Sequence, residues 1–244
     1  PSINQSNGVG DVWTLPDGTK ETIVDCCDEP DHQPVICNPY VKVLKARIAA
    51  KSSCGAHRHA RHSVFFFLTK AGIDFDNHVW GSGHSSGPVR ERAEFGEVRY
   101  GDFSETKPLV HKITNASETD DMVCVDAELV LLPPRPNNKR EEEEEAFVAD
   151  HHELVKTRED CRVYKLSLGP GESVRVAYPF FYVSVVLSGS TVRTEVGSNN
   201  DVGVGVGWET ACETGDVGWN PPSGGVTIAN IGDSVYEQFI VEWY

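Results

Sequence analysis

Basic residues are scarce in this chain. Lys and Arg number 22 against 37 Asp and Glu, a formal charge of −15 over 244 residues, so there is no basic field of the kind a phosphate backbone requires. Nucleic acid is not an expected partner. Long apolar runs are missing as well: none approaches the roughly 18 residues that cross a bilayer. The opening stretch PSINQSNGVGDVWTLPDG has neither the basic nor the apolar region of a signal peptide. These absences read as a soluble, cytoplasmic protein with no membrane partner. Cysteines 26, 27, 37, 54, 124, 161 and 212 are odd in number and form no CxxC pair, which argues against a disulfide framework or a zinc knuckle and for mostly buried, reduced thiols. Sustained helical periodicity is absent apart from a short stretch near 142–157.

What the chain has instead is a succession of short β-branched and aromatic runs cut by Gly, Pro, Asn and Asp, such as YVKVLKARIAA (40–50), SVFFFLTKAG (63–72), FYVSVVLSGS (181–190) and EQFIVEWY (237–244). That texture predicts an all-β fold of sandwiches or barrels. The sharpest change of composition, PPRPNNKREEEEEAFVADHHEL (133–154), reads as a solvated linker, with no chemistry assigned to Glu141–Glu145. The two sides of it resemble each other. Leu68 aligns with Leu187, Gly101-Asp102 with Gly215-Asp216, Asn115 with Asn230, and Glu128 with Glu242. This is an internal duplication of one β unit.

The densest cluster of metal-ligand side chains is Gly55-Ala56-His57-Arg58-His59-Ala60-Arg61-His62, just before the apolar run Val64–Leu68. In an extended segment side chains alternate, so His57 and His59 share one face. About fifty residues later, Pro108-Leu109-Val110-His111 leads into a second apolar strand. Histidines on neighbouring strands facing one interior can hold Fe(II), Zn, Mn, Ni or Cu and leave positions open. The expected metal ligands are therefore His57, His59 and His111, with His62 and Ser63 as an additional ligand or as groups supporting one. Cys54, close to His57, is expected to be a buried inert thiol, and Arg58 and Arg61 to pair with acidic neighbours.

GAHRHARHSVFFFL resembles the first motif of the cupin superfamily, Gly-x(5)-His-x-His-x(3,4)-Glu-x(6)-Gly. GDFSETKPLVHKITN resembles the second, Gly-x(5)-Pro-x-Gly-x(2)-His-x(3)-Asn, through Gly101, Pro108, His111 and Asn115. The duplication makes the resemblance one to a bicupin. It implies two tandem double-stranded β-helix (jelly-roll) barrels: an N-terminal one over 1–135 with the metal site, an acidic linker over 136–155, and a C-terminal one over 156–244. The motif's Glu position holds Ser63 or Val64, leaving three neutral imidazoles unless a carboxylate such as Glu94, Glu97 or Glu105 returns to the site. In the second half Val176, Tyr178 and Val226 stand where the first has His57, His59 and His111. That half should bind no transition metal, be filled by Phe180, Tyr182 and Val185, and serve as a cover or dimerisation surface. The resemblance implies an enzyme with one divalent ion, Fe(II) or Zn foremost, acting on a small polar metabolite, with an Fe(II) dioxygenase-type reaction leading. A zinc-type lyase, hydratase or hydrolase, or a non-catalytic metal- or ligand-binding bicupin, is the alternative, and a homodimer is compatible with either.

Overall fold

The computed structural model describes residues 8–15, 17–80, 87–134, 147–196 and 206–244. Glu141–Glu145 and His84 lie outside them. The chain divides into two compact units, Pro1–Val130 and Leu131–Tyr244. No helix among the described residues is long and apolar enough to cross a membrane.

The first unit runs β1 (Val12–Thr14), β2 (Lys20–Thr22), β3 (Val24–Asp25), β4 (His32–Cys37), β5 (Val41–Ile48), β6 (His57–His59), β7 (Ser63–Phe67), β8 (Ile73–Val79), β9 (Val89–Ala93), β10 (Val98–Gly101), β11 (Leu109–Asn115) and β12 (Met122–Leu129). One sheet has the order β10-β7-β12-β5-β4 and the other β3-β6-β11-β8-β9, with β1 and β2 forming a separate ribbon. The second unit contributes β13 (His152–Thr157), β14 (Cys161–Leu168), β15 (Ser173–Val176), β16 (Tyr182–Ser188), β17 (Thr191–Val196), β18 (Val206–Ala211), β19 (Val217–Asn220), β20 (Val226–Asn230) and β21 (Tyr236–Trp243). Its sheets read β13-β14-β21-β16-β19 and β15-β20-β17-β18. Among the described residues this repeats, strand for strand, the order of the two large sheets of the first unit, with β3 lacking a counterpart. The fold is therefore all-β, two jelly-roll units in tandem.

Alternation explains which residues are inside. β5 buries Val41, Val43, Leu44, Ala46 and Ile48 and turns Arg47 outward. The core of the first unit joins both sheets through Ile48, Phe67, Phe75, Ile113 and Met122, large side chains each worth about 1.5–3 kcal/mol when fully buried. In the second unit Tyr164, Leu166, Tyr178, Val186 and Ile240 play that part, with Phe147, Phe180 and Tyr182 packed against them. The stretch near 142–157 with helical spacing ends in strand β13, where Glu153 and Leu154 pair with Lys165 and Tyr164. Edge pairing there overrides the local periodicity.

The duplication extends to individual hydrogen bonds. Asn115 donates from Nδ2 to the carbonyls of Ile48 (3.0 Å) and Asp120 (2.9 Å) and accepts the Ser117 N–H at 2.9 Å. Asn230 donates to Leu168 (2.9 Å) and Ser234 (2.7 Å) and accepts Gly232 N–H at 3.2 Å. One element of the sequence alignment needs correction. Gly215 matches Gly96, not Gly101: both have positive φ, +88° and +78°, and both donate N–H at 2.8 Å to corresponding residues, Val186 and Phe67. Gly101 ends β10, and the repeated Gly-acid pair is Gly96-Glu97 with Gly215-Asp216.

Because Asn115 and Asn230 are buried and each satisfies three backbone groups, Asn115→Ala and Asn230→Ala should each destabilise their own unit by about 2–3 kcal/mol. Urea unfolding checks this; a loss below about 0.5 kcal/mol would show that water replaces the side chain.

Candidate metal centre

β6 is three residues long, and its alternation buries His57 (0% exposed) and His59 (2%) while Arg58 faces away and pairs with Glu105 at 2.6 Å. β11 runs antiparallel beside β6 in a register that sets His111 opposite His57 and Leu109 opposite His59. The three rings meet: centroids are 4.5 Å apart for His57 and His111, 5.0 Å for His57 and His59, and 5.2 Å for His59 and His111. A fourth imidazole arrives from the opposite sheet. His32, the first residue of β4, lies 4.4 Å from His57 and 6.3 Å from His59, and ligand-capable atoms of His32, His57 and His59 all fall within 4.8 Å of one another.

Each ring is fixed through Nδ1. His57 Nδ1 donates to the Gly55 carbonyl at 2.9 Å. His111 Nδ1 donates at 3.2 Å to Asn77 Oδ1, whose amide is oriented by its own donation to Glu91 at 2.9 Å, with Glu91 held in turn by Arg99 at 2.6 Å. His32 Nδ1 meets Glu29 Oε2 at 2.6 Å, and the same buried carboxylate accepts the N–H groups of Asp31 and Gly55, both at 2.8 Å. Glu29 thus ties the start of β4 to the loop that leads into β6. His59 Nδ1 faces two carboxylates of β12, Asp126 at 3.2 Å and Glu128 at 3.3 Å. With Nδ1 spent in this way, the ring atom left to bind a cation is Nε2. The Nε2 atoms of His57 and His111 are buried without a hydrogen-bond partner.

The electrostatics divide the rings into two kinds. Burial, followed by the neighbouring histidines, holds His57 and His111 well below the ordinary imidazole value, so both are neutral donors. Burial acts the same way on His59, but hydrogen bonds to Asp126 and Glu128 and their charges prevail and raise it to about 9. Burial also pushes the Asp126 carboxyl up, against the pull of His59. An orphaned donor pair, neutral rings and a carboxylate-backed third imidazole fit a divalent metal ion.

The rings line one part of a cavity of about 210 Å³ whose other walls are mainly apolar, including Phe65, Phe67, Phe75, Phe103, Ile113 and Met122. Arg99 also lines it, its guanidinium 4.9 Å from the Phe67 ring centre. Among the described residues of the second unit the histidine positions are filled differently. Val176 pairs with Val226 as His57 pairs with His111, and Tyr178 bonds His152 Nε2 at 2.7 Å within an aromatic cluster with Phe147, Phe180 and Tyr182. Among the described residues, no cluster of potential metal ligands lies there.

No protein-family model and no curated protein sequence matches the chain. Solved structures do. AerE from Microcystis aeruginosa superposes with a TM-score of 0.55 at 12% identity, over 88% of this chain and 98% of that one. A single-residue variant of the oxalate decarboxylase of Bacillus subtilis superposes at 0.53 and 12% identity, over 84% and 69%, and another structure of that enzyme, at 0.51, 12% identity and the same coverage, concerns its Mn(II) centres. The fold is that of a bicupin.

Within this fold the residues named from sequence fall in different places. The ring centroids of His57, His59 and His111 lie within 5.2 Å of one another, while the trio whose ligand-capable atoms all fall within 4.8 Å is His32, His57 and His59. His62 Nδ1 meets the Tyr100 hydroxyl at 3.1 Å, and its Nε2 lies 3.4 Å from Asp102. Ser63 is buried and donates its hydroxyl to the Arg61 carbonyl at 3.0 Å. Glu94, Glu97 and Glu105 pair with Arg92, Arg99 and Arg58; the carboxylates behind the rings are Glu29, Asp126 and Glu128. Cys54 is buried, accepts Ile113 N–H at 3.2 Å, and is pushed up to about 12 by burial, an inert thiol.

His32 has no local signature in HQPVIC, because its role depends on sheet-to-sheet packing. Asp126 and Glu128 did leave a signal, two acids at period two inside the apolar strand MVCVDAEL, where buried charge requires a partner. Asn77→Leu removes the acceptor that orients His111, and Mn(II) affinity should fall about 10–100-fold. Calorimetric titration measures it; wild-type affinity would mean that His111 needs no such support.

Proposed function

We propose that this bicupin is a metal-dependent enzyme whose N-terminal unit binds one divalent ion through His57, His59 and His111, with His32 as a fourth donor, and acts on a small molecule in the adjoining cavity. The observation that carries the reading is the arrangement of the four imidazoles: every Nδ1 is tied to an acceptor, and the Nε2 atoms of His57 and His111 are buried and unpartnered. Leaving such atoms unused in an apolar interior is costly, of the order of 1–3 kcal/mol each.

The metal would supply Lewis acidity and, as Fe(II), redox chemistry with O2, which keeps the dioxygenase-type reaction as the leading assignment. The chain's own groups do the rest. Glu29, Asn77, Asp126 and Glu128 hold the rings, and the negative charge behind His59 strengthens it as a donor. The phenylalanine walls exclude water and favour a substrate with an apolar body and one polar, metal-seeking end. This narrows the small polar metabolite expected from sequence.

A second reading follows from the donor count. Four imidazoles close a tetrahedral Zn(II), as in structural sites, whereas a six-coordinate Fe(II) or Mn(II) keeps two positions open. The count supports a binding-only bicupin if zinc is the native metal and all four rings bind it; a zinc-type lyase, hydratase or hydrolase requires three rings and an open position. Elemental analysis of protein purified without a metal-charged column tests both readings. One equivalent should be present and should be lost in the His57→Ala/His59→Ala double variant; one equivalent retained there would place the ligands elsewhere. Azide should perturb the absorption spectrum of the Co(II) form if a position is open, and an unchanged spectrum would favour the closed site.

A further inference from the structure

Outside the four rings, a dense group of reactive side chains surrounds the short 3-10 turn Cys26–Asp28, between β3 and β4. Cys26 is buried, and its Sγ–H donates to Glu128 Oε1 at 3.3 Å while lying 3.6 Å from Asp25 Oδ1. Cys27 is half-buried, and Lys42 Nζ on β5 donates to its sulfur at 3.3 Å. Asp25 accepts the Cys27 backbone N–H at 3.1 Å and fixes the turn.

Two triads of close polar atoms share Cys26. Those of Asp25, Cys26 and Cys27 lie within 4.8 Å of one another, and so do those of Cys26, His59 and Glu128. The turn is therefore joined to the ring of His59 by a continuous path, Cys27 to Cys26 to Glu128 to His59. Buried reduced thiols were the expectation for this chain, and Cys54, Cys124 and Cys161 are such thiols. Cys27 departs from it. The groups around its sulfur are Cys26 and Asp25 from its own segment and Lys42 from β5, with Glu128 of β12 opposite Lys42 in the sheet.

We propose that Cys27 is a modification site, a thiolate held by Lys42 that takes hydroperoxides and soft electrophiles, and that its modification reaches the metal centre through Cys26 and Glu128. With a hydroperoxide the sulfur attacks one peroxide oxygen, the O–O bond breaks and an S–O bond forms. Sulfur loses two electrons to give the sulfenic acid, the peroxide gains them, and the departing hydroxide or alkoxide takes a proton from water. The Cys26 S–H, where it turns from Glu128 to the neighbouring sulfur, and the ammonium of Lys42 outweigh burial and lower the Cys27 thiol from its ordinary value, which raises the thiolate fraction near neutral pH. A bulkier or oxidised sulfur at position 27 then displaces Cys26, the thiol that donates to Glu128.

The full chain tests this in two stages, and only the second rests on the metal reading. Iodoacetamide labelling is followed from pH 6 to 9 by peptide mass spectrometry, with fragment ions separating Cys27 from Cys26 and the exposed Cys37 as internal reference. The Cys27 midpoint should lie about one pH unit or more below that of Cys37. Lys42→Met should remove that difference and Lys42→Arg should keep it, and hydrogen peroxide with dimedone should tag Cys27 first. Equal midpoints, or a Lys42→Met variant that labels like wild type, would overturn the site. In the second stage Mn(II) affinity is measured in Cys37→Ser protein before and after methylthiolation of Cys27. A loss of about tenfold is expected, and an unchanged affinity would overturn the link to the rings. Protein that binds no Mn(II) even before treatment would instead overturn the metal reading and leave the labelling result standing.

Discussion

An imidazole buried among phenylalanines and aliphatic side chains is stable only if its polar atoms are used. In this protein that constraint is met on one side of each ring, and for His57 and His111 it is left open on the other. Gly55, Asn77, Glu29 and the pair Asp126 and Glu128 take the four Nδ1 atoms. The antiparallel register of β6 and β11 then sets His111 opposite His57, and the Nε2 atom of each is buried without a hydrogen-bond partner. The support extends outward through Asn77 and Glu91 to Arg99, so an ion pair at the cavity wall helps fix the direction of a buried ring.

The second unit shows the same framework with the site removed. The strand order is shared, and the asparagine at the end of β20 repeats the bonds of its counterpart on β11. Even the acid at the end of the last strand is retained. Glu128 supports His59, whereas Glu242 accepts the Tyr164 hydroxyl at 3.1 Å and lies 3.8 Å from Arg162. The carboxylate kept its position and changed its partner. Valines and aromatic rings occupy the interior where the first unit has imidazoles, so this core is held by packing and a few hydroxyl bonds, and its described residues include no cluster of potential metal ligands.

The sequence was most informative where the placement of a side chain follows backbone periodicity. His57 and His59 were legible because side chains two apart share a face of a strand, and His111 because its spacing to Asn115 repeats a turn-locking residue also found as Asn230. The duplication and the loss of ligands at Val176 and Val226 could be read for the same reason. What escaped depends on contacts between elements. His32 reaches the site only because β4 sits in the sheet facing β6, and the register of Gly215 with Gly96 shows only when both glycines are seen bonding the same point of a neighbouring strand. His62, next to the run His57–His59, meets Tyr100 and Asp102.

The central claim concerns the identity of the donor atoms, and X-ray absorption of the Co(II)- or Zn(II)-loaded protein addresses it most directly. The account predicts a first shell dominated by imidazole nitrogen at about 2.0–2.1 Å for zinc, fitted by three or four rings, with one ring lost in His32→Ala. A shell of sulfur or carboxylate oxygen, or an imidazole count of one or none, would contradict it.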